Sequence, residues 1–179
     1  MINKNFQALY PGEISQLKFF EFYRKICREM GVFYMGYILE DSKSNKRVGF
    51  TTNLSWGKEY IENYVEVCHL WNKVQNFFEH SKCDTFILPW ETIRPKTGLQ
   101  KDILLRRQEL FIGGDGISFC HKRNSFREYY YFAPEIKQKN FLSYVSKNID
   151  LLKNGINLFR NESIKTINDS IITERAKHD

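Results

Sequence analysis

Apolar residues recur along this chain at two spacings, and the switch from one to the other marks its elements. Between Glu13 and Met30 the positions Leu17, Phe20, Tyr23, Ile26, Cys27 and Met30 fall three or four apart. That spacing predicts one helical stripe, with Gly31 placed to stop it. Val32 to Leu39 is short and aromatic-rich and runs into the polar turn Glu40-Asp41-Ser42-Lys43-Ser44-Asn45, as a strand would, with Arg47 to Thr52 as its antiparallel partner. Ser55 can cap a helix that carries Trp56, Tyr60, Ile61, Tyr64, Val67 and Cys68. Trp56, Tyr60 and Tyr64 lie four apart, so their rings share roughly one face. The stretch from Leu70-Trp71 to Phe77-Phe78 continues or restarts that helix.

Beyond a loop holding Pro89 and Pro95, Gln100 to Phe111 forms a further helix with Ile103, Leu104 and Leu110 inward. Gly113-Gly114-Asp115-Gly116 breaks it. Ile117 to His121 and Phe126 to Ala133 form a hairpin around Lys122-Arg123-Asn124-Ser125, and Pro134 ends its second strand. Phe141, Val145, Ile149, Leu152, Ile156 and Phe159 then mark a long closing helix. The expected class is α+β: an antiparallel β-sheet flanked by helices on both faces, an α-β-α sandwich. Residues 1–160 make up the expected globular domain, and 161–179 a C-terminal tail or linker. In that last segment charges alternate with Ile164, Ile167, Ile171 and Ile172, a pattern that also suits an extended helix or docking on a partner.

Composition narrows the class further. With 179 residues and 42% hydrophobic content, one domain with a real core is expected and disorder is excluded. Fifteen Phe, ten Tyr and three Trp leave rings to line a cavity as well as fill a core. No apolar run approaches the ~20 residues of a membrane helix. The opening Met-Ile-Asn-Lys-Asn-Phe lacks the apolar segment of a signal peptide, so a cytoplasmic protein without membrane contact is expected. The net charge of +6 is spread without a cationic block and reads as a solvated surface. Cys27, Cys68, Cys83 and Cys120 show no CxxC spacing and read as reduced core thiols.

Motifs for catalysis are missing. There is no G-x-S-x-G elbow, no H-E-x-x-H and no G-x-x-x-x-G-K. The glycine cluster at 113–116 follows a helix and precedes a strand, the wrong order for an anion at a helix N-terminus. Cys68-His69 and Cys120-His121, with His80 and Cys83, could supply soft metal ligands if the fold gathered them. Adjacent strand residues point to opposite faces, however, so buried thiols beside surface imidazoles are the simpler reading. No catalytic residue, metal or cofactor is expected.

Binding fits the residues better. The helical face Trp56, Tyr60, Tyr64 and the strand aromatics Phe33, Tyr37, Tyr129 and Tyr131 could enclose an apolar tail, or could simply pack a core. Trp90, in Leu88-Pro89-Trp90-Glu91, and Ser118, in Gly116-Ile117-Ser118-Phe119, would add an indole N–H and a hydroxyl.

The order of these motifs resembles the autoinducer-binding domain of LuxR-type quorum-sensing transcriptional regulators, over roughly residues 13 to 160. Trp56 and Tyr60 match a tryptophan with a tyrosine four residues on, and Tyr64 looks like a later aromatic. Trp90 looks like the family's second tryptophan, and Asp115 to Phe119 resembles its glycine-led strand. The resemblance implies a PAS/GAF-like sandwich that binds a small amphiphilic signal, an N-acyl homoserine lactone in most members. It implies a lactone contact for Trp90 and acyl-carbonyl contacts for Tyr60 and Ser118. A homodimer, or a heterodimer with a related regulator, would follow from the long closing helix.

Two departures accompany the likeness. The family's aspartate, which accepts from the ligand amide N–H, falls on Cys68-His69 or His69-Leu70, where no carboxylate stands. Neutral His69 could accept instead; an unpaired amide would cost about 1–3 kcal/mol. The helix-turn-helix that reads DNA in the family has no counterpart here, so no direct DNA binding is expected. The expectation is a ligand sensor without enzymatic activity. The alternative is an interaction module that keeps the fold, has lost the lactone and modulates full-length regulators.

Overall fold

In the computed structural model, which describes residues 7–29, 31–110, 116–134 and 141–176, alternating strands and helices follow in close succession. They are β1 (Gln7–Leu9), α1 (Glu13–Phe22, running on through a wider π turn, Tyr23–Cys27), β2 (Val32–Asp41) and β3 (Lys46–Thr51). Next come α2 (Leu54–Glu59, with a π turn over Tyr60–Tyr64), α3 (His69–His80), β4 (Thr85–Pro89), a 3-10 turn (Trp90–Thr92) and α4 (Gly98–Glu109). The chain closes with β5 (Ile117–Arg123), β6 (Phe126–Pro134), α5 (Phe141–Lys147) and α6 (Ile149–Arg175).

The strands form one sheet in the order β1-β3-β2-β6-β5-β4. Every neighbouring pair is antiparallel except β1 with β3, so the sheet is mixed rather than purely antiparallel. β1 and β4 are the two elements the apolar spacing left out. Both are short edge strands, and Pro89 sits at the end of β4, where its missing N–H costs no ladder bond. The β5–β6 turn is tighter than four residues: Arg123 faces Phe126, leaving Asn124-Ser125, and Asn124 takes the left-handed φ of 55° that such a turn demands. Asn53 rather than Ser55 caps α2, its Oδ1 accepting from the Trp56 N–H at 3.0 Å.

Strand alternation sorts the side chains into two layers. Met35, Tyr37 and Leu39 of β2, Val48 and Phe50 of β3, and Tyr130 and Phe132 of β6 meet Phe19 of α1 with Leu152, Ile156 and Phe159 of α6. Tyr34 and Ile38 of β2, and Tyr129 and Tyr131 of β6, meet Trp56, Tyr60, Trp71 and Ile103 on the opposite face. Helices therefore cover both faces, and the fold is an α+β sandwich. α6 directs its apolar stripe at this sheet, and it does not stop at residue 160. Ser163 and Ile167 are buried, with Ile164 and Ile171 packed beside them, so the segment expected as a tail extends the closing helix. Among the described residues no helix is long and apolar enough to cross a membrane.

Candidate functional site

Register decides which residues share a row across the sheet. Thr51, Gly36, Tyr131, Ser118 and Leu88 stand abreast on β3, β2, β6, β5 and β4. The next row on the same face is Gly49, Ile38, Tyr129, Cys120 and Phe86. Two glycines thus sit diagonally across β2 and β3 in the floor of the α2–α4 layer. A Cβ on Gly36 would come within 2.9 Å of the Tyr34 hydroxyl, and one on Gly49 within 2.6 Å of Ile61 Cδ1, so the glycines let these side chains lie close on the sheet. Beside them the sheet leaves a hollow under Trp56, Tyr60 and Ile61.

The hollow is a cavity of about 240 Å³, the space some eight waters fill in the liquid at about 30 Å³ each. Its rim is made by exposed Tyr10 and Leu54 with Pro11, Gln16 and Lys58. Tyr34, Ile38, Trp56, Tyr60 and Tyr131 form its walls, and Trp90 with Arg107 forms the far end. A second cavity of about 300 Å³, lined by His69, Leu70, Ile93, Pro95 and Leu104, shares Trp90 and Arg107 with the first. Those two side chains are the partition between the two hollows.

Several polar groups in this layer lack partners. The hydroxyls of Tyr60 and Tyr131 and Nδ1 of His69 are buried without a hydrogen bond. Cys68 lies within reach of the Tyr60 hydroxyl, though its thiol is only a weak partner. Burial pushes both phenols well above the ordinary tyrosine range, so they are neutral O–H groups. Tyr34 differs: its hydroxyl meets Thr51 Oγ1 at 3.4 Å.

Arg107 is the residue that the apolar spacing passed over. It lies on α4 four residues after Ile103 and three before Leu110, within the inward stripe, and is 4% exposed. Its guanidinium stands over Trp90, Tyr60 and Trp56 at 5.3, 5.5 and 6.0 Å from the ring centroids. Its one hydrogen bond runs from Nη2 to Cys68 Sγ at 3.3 Å, and among the described residues no carboxylate pairs with it. The neighbouring Arg106 turns outward instead, to Glu59 and Glu109. A charged residue at a helical position that periodicity assigns to the core was the available signal.

The structure brings four of the expected ligand residues together on the cavity wall: Trp56, Tyr60, Trp90 and Tyr131. The others are placed elsewhere. Tyr64 stacks on Trp56 but is half-buried, its hydroxyl bonded to Glu59 away from the cavity. His69 lines the second cavity. Ser118 stands behind Trp90 and accepts from its indole Nε1 at 2.8 Å, so the two expected polar contacts satisfy each other. Tyr37 projects into the α1–α6 layer, its ring 5.1 Å from Tyr130 and 6.3 Å from Phe50, which leaves only its main chain to border the cavity. Phe33 is exposed, and Tyr129 is core, packed on Trp71 with its hydroxyl held by Gln75. The loop Phe111-Ile112-Gly113-Gly114-Asp115 lies outside the described residues. Among the described residues no three His, Cys, Asp or Glu converge as a metal site.

Burial, and after it the Arg107 charge, pulls His69 down to about 4 from its ordinary 6.5. The folded state thus prefers neutral His69. The stability this contributes is full above pH 6.5 and is lost as the pH falls from there toward about 4. Partial solvent screening reduces the expected loss to about 1–2 kcal/mol. Melting temperature followed from pH 7 to pH 4 should show the decline, and His69→Gln should flatten it. An equally steep decline in His69→Gln would remove His69 as its source.

No family model matches this chain, and no curated protein is similar to it.

Proposed function

We propose that this chain is a small-molecule sensing domain whose ligand occupies the cavity between the sheet and helices α2 and α4. The observation that carries the reading is a largely apolar cavity walled by the rings of Tyr34, Trp56, Tyr60, Trp90 and Tyr131, with the buried guanidinium of Arg107 at its inner end. The resemblance to LuxR-type regulators points the same way and makes an N-acyl homoserine lactone the first ligand to test. On this proposal the ligand ties the sheet to α2 and α4 and signals by stabilising the fold or its dimer.

A thermal-shift panel of acyl homoserine lactones and related amphiphiles tests it. A ligand at 100 times its Kd stabilises by about 2.7 kcal/mol, a rise of roughly 5–10 °C for a chain of this size. Gly36→Val, which puts a side chain into the floor, should erase that rise. Tyr131→Phe should raise the melting temperature of the empty protein. If no compound stabilises the wild type, the cavity is a packing fault. The interaction-module reading then takes over.

A further inference from the structure

Arg107 narrows the ligand further, on the premise that the cavity binds one. A guanidinium carries five N–H donors and cannot shed its charge in a protein. Here it is 4% exposed at the inner end of the cavity, and one thiol is its whole hydrogen-bond complement among the described residues. The rings of Trp56, Tyr60 and Trp90 face its charge, but they accept no hydrogen bond in the plane of its fork. Buried arginines are ordinarily paired, and this protein follows that rule elsewhere: Arg47 meets Glu40 at 3.0 Å within the same layer. One end of the cavity therefore holds a positive charge that no carboxylate among the described residues pairs. Ile38, Ile61 and Trp56 make the middle apolar.

We infer that the cavity takes an amphiphilic carboxylate, its two oxygens on the Arg107 fork, its apolar part lying toward α2. A planar carboxylate matches the fork. A neutral lactone or amide can accept too, but it leaves the guanidinium charge unpaired. The acceptor that an amide N–H would need is a thiol here, already engaged by Arg107.

The matched probes are sodium octanoate, octanamide and N-octanoyl homoserine lactone, titrated into the wild-type protein by calorimetry at pH 7. Octanoate should bind at least about tenfold more tightly than octanamide, a ratio worth about 1.4 kcal/mol. Arg107→Met should abolish that preference. As a check that needs no variant, octanoate affinity in the wild type should fall about tenfold per pH unit once the pH is below the octanoate carboxyl pKa. Octanamide or the lactone binding as tightly as octanoate overturns the carboxylate assignment and leaves the sensing cavity standing. Preference for octanoate that persists in Arg107→Met overturns the role of Arg107. No binding by any of the three overturns the assignment together with the cavity reading on which it rests.

Discussion

A chain ended after Arg160 is expected to lose most of its stability and to unfold without a cooperative transition. The removed turns of α6 carry Ile167 and Ser163, both buried, and Ile164 and Ile171, packed on the cluster around Phe19, Val48 and Phe50. They also carry Glu162, which accepts from Ser15 Oγ at 3.0 Å and so ties α6 to α1. Glu174 pairs at 2.7 Å with Lys46, itself buried on β3. A fully buried isoleucine contributes about 1.5–3 kcal/mol and a half-buried one less, so the three together contribute about 4–6 kcal/mol. That is comparable with the lower end of the about 5–15 kcal/mol available to a typical domain. Urea denaturation followed by circular dichroism measures the loss. A midpoint equal to that of the full chain would show residues 161–175 to be an accessory tail after all.

Glu40→Ala is expected to cost about 3–5 kcal/mol, because it strands a buried cation. Glu40 is wholly buried on β2, and its cross-strand partner in the ladder is Arg47 of β3. Arg47 donates from Nη2 to Glu40 and to Glu66, each at 3.0 Å, and lies over the Trp71 ring at 4.8 Å. Arg127 of β6 approaches Glu40 from the other side at 3.6 Å and is also bonded to Gln75. Removing the carboxylate that two cations share leaves Arg47 with Glu66 and Arg127 with Gln75. Replacing both members, Glu40→Leu with Arg47→Met, removes the desolvation cost along with the attraction and should restore stability to near the wild-type value. A double-mutant cycle in urea separates these cases. A cost below about 1 kcal/mol for Glu40→Ala would mean that water or a neighbour replaces the carboxylate without loss.

The contrast between Arg47 and Arg107 bears on function. Both guanidiniums are buried in the same layer and both face tryptophan. One has two carboxylates, the other a thiol and an open cavity. The chain can supply carboxylates to a buried arginine where the fold needs them. Leaving Arg107 without one costs stability, and a ligand that returns the missing negative charge converts that cost into affinity. His69 reports on the same charge, since Arg107 helps to hold it neutral. An anion on Arg107 should therefore raise the His69 titration toward its ordinary value.

Much of the secondary structure was legible in the sequence because amphipathic period is a local property. The helix after Glu13, the hairpin at Asn124-Ser125 and the closing helical segment follow from spacing, but the inward face of α1 does not. Leu17 of the expected stripe is exposed while Phe19, outside it, is buried, and the closing segment is divided at Asn148 into α5 and α6. What escaped was local signal too weak to rise above its neighbours. β1 has three residues and β4 five, and each becomes a strand only because a longer one offers it a ladder. The end of α6 was ambiguous because charges and isoleucines suit a helix on a core and a helix on a partner equally well. Position along the sheet, which buries Ile167, is not written in that stretch.

The sequence by itself determined the class, two helical layers on an aromatic-rich sheet, and the candidate rings Trp56, Tyr60, Trp90 and Tyr131. Tertiary structure alone decided which of those rings share a space. Register puts Gly36 and Gly49 on the cavity side of the sheet; alternation sends Tyr37 to the opposite layer from Tyr131; packing turns the Trp90 N–H onto Ser118. It also decided that Arg107, and not Arg106, would be enclosed. The physical reason is that period assigns a residue to a face, whereas a pocket depends on which faces meet, and that follows from pairings between segments far apart in the chain.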